Sequence, residues 1–252
     1  MDKHTVLIVD DNKEIPIVLK KRLDRRYETC VASNGAEALR IVQEQIVHII
    51  ISDVMMPVMD GFEFCEKIKS NIDTSHIPVI LLTARNTLQE KIEGLGYGAE
   101  AYIEKPFSVN HLEAQIESLL QNRSRIKKHF VTSPLTQFKS IAHTKTDEVF
   151  LESLQELIEE HMIEENLDID FLARRLNMSR TSFYRKIKSV SNLSPKEMIN
   201  IVRLKKAAEL INEGVHNLNE ITAIVGFTSL THFGRRFKKQ FGITASEYLK
   251  NR

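Results

Sequence analysis

Two apolar runs in the first half of this chain end in aspartate, TVLIV before Asp10-Asp11 and HIIIS before Asp53. A third, Val79–Leu82, runs into Thr83, and a fourth, Ala101–Ile103, is followed by Lys105-Pro106. Carboxylates, a hydroxyl and an ammonium brought to one place can accept a phosphoryl group and neutralise its oxygens, so the set reads as a built phosphorylation site. Three crowded carboxylates repel one another and raise each other's pKa unless a cation intervenes. An all-oxygen cluster with room for water suits Mg²⁺, which is the expected cofactor.

What can gather these groups is a parallel sheet covered on both faces. Its strands read as unbroken apolar runs, and its ligands sit outside their carboxyl ends. Val6–Val9, His48–Ile51, Val79–Leu82 and Ala101–Ile103 fit that description, so their trailing polar residues should meet at one edge. Any one of the aspartates can equally be a cap for the following helix. Five polar groups in the right order at four strand ends argue against coincidence.

The chain here resembles the receiver domain of two-component response regulators, over roughly residues 3–121. The motifs are VDDN at 9–12, DVMMPVMDGFE at 53–63, LLTA at 81–84, and Tyr102 with Lys105-Pro106. The resemblance implies a flavodoxin-like, doubly wound α/β fold with a five-stranded parallel sheet. By it, Asp53 is the phosphoacceptor, charged by a histidine kinase or a small acyl phosphate. Asp10, Asp11 and Asp53 hold magnesium together with the Met55 carbonyl. Thr83 and Lys105 stabilise the phosphoryl oxygens, Thr83 and Tyr102 form the switch, and the Lys105–Pro106 bond is cis. Met55 and Arg85 occupy positions where relatives vary the lifetime of the phosphoryl group. Ala101 stands where the family commonly has an acidic residue.

Charge separates the chain into halves. Residues 1–122 carry 13 Lys+Arg and 19 Asp+Glu, net −6, whereas 123–252 carry 22 and 15, net +7. The basic half points to a polyanion, with double-stranded DNA the leading candidate. No apolar run reaches the roughly eighteen residues that span a bilayer, and the first residues lack a signal-peptide pattern. A cytoplasmic protein without direct membrane contact is expected. Cys30 and Cys65 lack metal-site spacing and read as reduced packing residues.

The expected domains are a receiver at 1–122, a basic linker at 123–146 and a DNA-binding domain at 147–252. The linker has Phe130, Phe138 and Ile141 as apolar anchors that could dock on either domain. An acidic scaffold helix is predicted over Asp147–Glu165. Then Ile169–Leu176, a turn at Asn177-Met178, and a helix capped by Ser179 form a helix-turn-helix, with Phe183 and Ile187 inward. The wheel leaves Thr181, Tyr184, Arg185 and Lys188 outward. The pattern returns: Asn217 and Glu220 box a helix over 218–225, Gly226 turns, and Ser229 caps a helix that buries Phe233 and Phe237. Thr231, Gly234, Arg235 and Lys238 face out. A rod from Pro195, boxed by Ser194 and Glu197, joins the two modules.

Residues 147–250 resemble the AraC family of transcription factors, most specifically in VGFTSLTHFGRRFKKQFGITASEYL at 225–249. The resemblance implies an all-α domain whose two recognition helices enter successive major grooves about 34 Å apart. Base reading falls to Thr181, Tyr184, Arg185, Thr231, Gly234 and Arg235. Phosphate contact falls to Lys188, Arg203, Lys205, Lys206, Arg236, Lys238 and Lys239. Together the halves imply a phosphorylation-controlled transcription regulator, an activator that dimerises when phosphorylated and meets RNA polymerase. The face formed by the fourth helix, fifth strand and fifth helix is a common dimer surface in relatives.

The domain order resembles the cytoplasmic end of hybrid two-component systems of Bacteroides-type bacteria, in which a sensor, a membrane span and a histidine kinase precede the receiver. On that reading Met1 is an excision point; the alternative is a free-standing regulator, with its kinase in trans. Two competing readings remain. An aspartyl-phosphate phosphatase would need a second acid two residues after Asp53, where Met55 stands. A phosphorelay docking module would use the basic half for protein rather than DNA.

Overall fold

The computed structural model describes residues 3–84, 97–164 and 167–250, which form two compact units meeting at Asn122/Arg123. In the first unit, strands β1 (Thr5–Val9), β2 (Glu28–Ala32), β3 (Ile49–Asp53), β4 (Val79–Ala84) and β5 (Ala101–Lys105) pair in parallel in the order β2-β1-β3-β4-β5. This is the flavodoxin-like order, with its switch point between β1 and β3.

The central runs are apolar throughout because successive residues feed opposite cores. Leu7, Val9, Ile50, Val79 and Leu81 pack with Ala38 and Val42 of helix α2 (Gly35–Glu44) and with Phe64 and Ile68 of α3 (Gly61–Ser70). Val6, Ile8, Ile49, Ile51, Ile80 and Leu82 pack with Leu19 and Leu23 of α1 (Glu14–Leu23) and with Leu112 and Ile116 of α4 (Val109–Thr132). The edge strand β2, ETCVA, buries only Ala32 fully. Arg85, and the part of the expected dimer face between β4 and residue 97, lie outside the described residues.

The second unit is helical: the end of α4, then α5 (Lys145–Glu160), α6 (Ile169–Arg175), α7 (Arg180–Ser191), α8 (Pro195–Glu213), α9 (Leu218–Ile224), α10 (Leu230–Phe241) and α11 (Ala245–Lys250). Capping follows the sequence signals. Ser179 accepts from Ser182 N–H and Ser229 from His232 N–H, while Ser194/Glu197 and Asn217/Glu220 both form closed capping boxes. Helix α5 differs from the predicted 147–165. Thr144 caps it two residues early by accepting from Asp147 N–H, and beyond Glu160 the chain turns, His161 bonding to Glu164 across the bend. Glu165 lies outside the described residues.

The two helix-turn-helix turns are built differently. The first uses Asn177 at φ 54°, a left-handed conformation that asparagine tolerates. The second uses Gly226 at φ 75°, where a Cβ would lie 1.9 Å from the Met162 carbonyl oxygen. The basic segment is ordered within this unit. Helix α4 runs to Thr132, Phe130 is fully buried edge-on against Phe138 with centroids 4.9 Å apart, and a 3-10 turn at Phe138–Ile141 buries both of its apolar ends. Among the described residues no helix is long and apolar enough to cross a membrane.

Candidate functional site

Register brings the strand ends level: Val9 pairs with Ser52, Asp53 with Leu82, and Ala84 with Lys105. Asp10 and Asp53 are 3% and 8% exposed at the carboxyl edge, with Asp11 exposed beside them. Carboxylate oxygens of all three lie within 4.8 Å of one another, the arrangement of hard donors that a divalent cation requires. The Lys105 ammonium bridges two of them, 2.9 Å from Asp53 Oδ1 and 3.2 Å from Asp10 Oδ2. Burial pushes the Asp53 pKa upward, opposed by the hydrogen bond and charge of Lys105 and reinforced by Asp10. Val54 N–H also donates to Asp53 Oδ1 at 2.9 Å, and Asn12 N–H donates to Asp10 Oδ1, fixing both carboxylates.

Around this centre the remaining receiver residues take definite positions. Thr83 is buried, its hydroxyl donating to the Ala84 carbonyl at 3.2 Å rather than to Asp53. Tyr102 is half-buried against the core around Phe64; its hydroxyl has no hydrogen-bond partner among the described residues, and burial raises its pKa. The Met55 side chain is 71% exposed, and Lys105–Pro106 is cis. Gly61 in the DVMMPVMDG run has a packing reason. A Cβ there would lie 2.2 Å from the Asp53 carbonyl oxygen, while its N–H donates to the Val54 carbonyl. Gly61→Ala should therefore shift the acceptor loop and cost about 1–3 kcal/mol, as overpacking does, lowering the urea midpoint of the first unit. An unchanged midpoint would refute the clash.

On the second unit, Thr181, Tyr184 and Lys188 are exposed along α7 with Arg185 half-buried among them; Phe183 and Ile187 point inward. Along α10, Thr231, Arg235, Arg236, Lys238 and Lys239 are exposed, Gly234 is half-buried, and Phe233 and Phe237 are fully buried. A Cβ on Gly234 would meet nothing within 4 Å, so packing does not demand glycine there.

Of the three expected phosphate contacts on α8, Lys205 is buried, and Arg203 and Lys206 are half-buried with protein partners. Lys205 is 4% exposed, its ammonium on the Ser133 carbonyl and 4.6 Å from the Phe130 ring centroid, and burial pushes its pKa down to about 8. It is part of the packing of this unit. Arg203 is half-buried and donates to the Met162 carbonyl at 2.6 Å, and Lys206 pairs with Glu209 at 3.2 Å.

Two structural cations escaped the sequence reading. Lys186, next to Arg185 on α7, is fully buried and pairs with the equally buried Asp147 at 2.5 Å. Asp147 falls three residues before Phe150, on the apolar face of α5, which was the available signal. Lys127 turns its ammonium onto the end of α7.

The first unit thus has the architecture of a phosphoacceptor receiver, and the second that of a double helix-turn-helix reader. Comparison with known proteins agrees. The response regulator receiver domain model matches residues 6–117 and a helix-turn-helix domain model matches 172–251. The first stretch is thus similar to response regulator receiver domains and the last to helix-turn-helix domains. "Histidine kinase P4" of Formosa agariphila is 40% identical over 247 residues, covering 98% of this chain, which spans 18% of that protein. "Probable transcriptional regulator ycf27" of Cyanidium caldarium is 43% identical over 120 residues, 47% of each. A solved receiver domain of a signal transduction histidine kinase from Syntrophus aciditrophicus is 36% identical, covers 47% of this chain and 91% of its own, and has a TM-score of 0.46.

Proposed function

We propose that the chain is a sequence-specific transcription regulator, an activator, controlled by phosphorylation of Asp53. The observation that carries this reading is the Lys105 ammonium set between Asp53 and Asp10 on a chain that also bears two recognition helices. An Asp53 oxygen attacks the phosphorus of a kinase phosphohistidine, the N–P bond breaks, and the imidazole leaves. Lys105 neutralises the incoming oxygens and Thr83 turns its hydroxyl toward them, with Tyr102 following into the space behind. Asp10, Asp11, Asp53 and the Met55 carbonyl would hold Mg²⁺, which supplies further charge neutralisation when bound. The exposed Met55 in place of a second acid favours slow self-dephosphorylation over turnover of an external substrate.

The receiver is 1–122 and the helix-turn-helix reader 147–252, with the basic segment 123–146 between them packed in the reader's unit. Phosphorylation promotes homodimers, which place two readers on adjacent half-sites in the cytoplasm and multiply affinity through effective concentration, next to RNA polymerase. The relation to a much longer protein named a histidine kinase supports a donor kinase in the same polypeptide as a receiver and reader of this type. Fluorescence anisotropy with upstream DNA, in Mg²⁺ with and without beryllofluoride, tests the switch. Tighter selective binding with the phosphoryl mimic is expected, and equal binding would overturn phosphorylation control.

Base reading is tested separately. Arg185→Ala should lose about 1–3 kcal/mol on the operator with little change on random DNA, because a bidentate contact to guanine is removed. Lys239→Ala should weaken both alike and reduce the salt slope by about one, the mark of a phosphate contact. Equal losses on both DNAs for Arg185→Ala would remove it from the base-reading set.

A further inference from the structure

The end of α4 lies well before the matched helix-turn-helix residues, yet it touches the ends of both recognition helices and the rod between them. The Lys127 ammonium donates to the Ser189 carbonyl and, at 3.3 Å, to Asn192 Oδ1, at the left-handed C-terminal cap of α7. One turn on, the Val131 carbonyl accepts from Gln240 Nε2 of α10 at 2.7 Å. The Ser133 carbonyl accepts from Lys205 of α8, whose ammonium also lies over Phe130. Phe130 and Phe138 anchor this stretch in the packed interior.

We propose that residues 127–133 are a brace belonging to the DNA reader, with Lys127 and Gln240 as positioning residues that fix the spacing and angle between the two recognition helices. The inference rests on the DNA-reading function proposed above. Each module folds around its own buried pair, Phe183/Ile187 or Phe233/Phe237, so a module keeps its grip on a single groove when the brace is cut. What the brace provides is simultaneous fit: the second helix reaches its groove in phase only if the pitch is held, and effective concentration is lost when geometry forbids joint engagement. Lys127 does this work as a half-buried hydrogen-bond donor, its ammonium held on the Ser189 carbonyl and Asn192 Oδ1, and burial pushes its pKa down to about 8.

The test uses the full chain with Lys127→Met, Gln240→Leu and, as a control that removes one exposed charge from the same helix, Lys128→Met. Affinities are measured for a duplex with the complete site and for one keeping a single module's half. Both brace variants should lose at least about tenfold of the full-over-half advantage while half-site affinity stays put, whereas Lys128→Met changes both duplexes together. Parallel losses on full and half sites for the brace variants, or none, would overturn the brace. A measurement without DNA separates the brace from the reading it rests on. Nitroxide labels at Thr181→Cys and Thr231→Cys, with Cys30→Ser and Cys65→Ala, should give a narrow distance distribution that broadens in Lys127→Met and Gln240→Leu but not in Lys128→Met. An unchanged distribution refutes the brace whatever the DNA result; broadening in a chain whose parent shows no DNA selectivity keeps the brace and discards the DNA reading.

Discussion

Asp53→Asn should abolish stable phosphoryl incorporation from acetyl phosphate in Mg²⁺, read as loss of the phosphoprotein band on a phosphate-affinity gel. An amide has no anionic oxygen to attack phosphorus, yet asparagine is nearly the same size and can still accept from Val54 N–H, so the fold should persist. Lys105→Ala should leave the nucleophile in place and slow labelling by about 10²–10³-fold, the usual consequence of removing one preorganised charge from a developing oxyanion. Asp53 and Asp10 would then face each other without the ammonium that now lies 2.9 and 3.2 Å from them. Undiminished labelling of Asp53→Asn would move the acceptor to another carboxylate and overturn the assignment.

The second large effect concerns stability. Lys186→Met or Asp147→Asn alone should destabilise the second unit by about 3–5 kcal/mol, since each strands a charged or strongly polar partner in the interior. Both side chains are fully buried and joined at 2.5 Å. His143 N–H also donates to Asp147 Oδ2 at 3.3 Å, and the Lys186 ammonium lies 5.7 Å from the Phe150 ring centroid, so removal of either group disturbs several contacts. In a thermal melt of the full chain the transition of this unit should fall by roughly 10–20 °C. The double replacement Asp147→Leu with Lys186→Met should recover most of the loss, because a buried ion pair exchanged for apolar side chains of similar size is often neutral. If the single variants melt with the parent, the pair is not the linchpin between α5 and α7.

The cluster at the carboxyl edge was legible because its logic is one-dimensional. In a parallel sheet buried on both faces each strand is an apolar run, and the residue after the run is at the functional edge, so Asp10, Asp53 and Lys105 could be ordered without knowing the sheet. β2 escaped the same test, since an edge strand such as ETCVA carries no continuous apolar signal. The recognition helices were legible for a similar reason: the buried pairs Phe183/Ile187 and Phe233/Phe237 define the opposite face by spacing alone. Helix α8 defeated the wheel. It buries Met198, Ile201, Val202, Leu204, Ala207 and Ile211 around much of its circumference, so no polar stripe told Lys205 from a solvated lysine. Asp147 entered only as the first residue of a predicted acidic helix, although it lies on the apolar face of α5. Both are side chains whose partner comes from a distant part of the chain, Ser133 for one and Lys186 for the other, and no local pattern reports such a partner.

The two turns of the reader also set different rules for how this chain can vary. The first accepts any residue able to adopt a left-handed backbone, as Asn177 does, so substitutions there carry a modest conformational cost. The second is closed to every residue but glycine, because the Met162 carbonyl occupies the place a Cβ would take beside Gly226. Although the modules follow one plan, their turn sequences are not exchangeable. Grafting the first turn onto the second module would expel the chain at Met162 from its seat, whereas the reverse graft meets only the ordinary entropic penalty of an added glycine. Diversification of the reader is therefore free to proceed through the first turn, and through the second only if the bend after α5 moves with it.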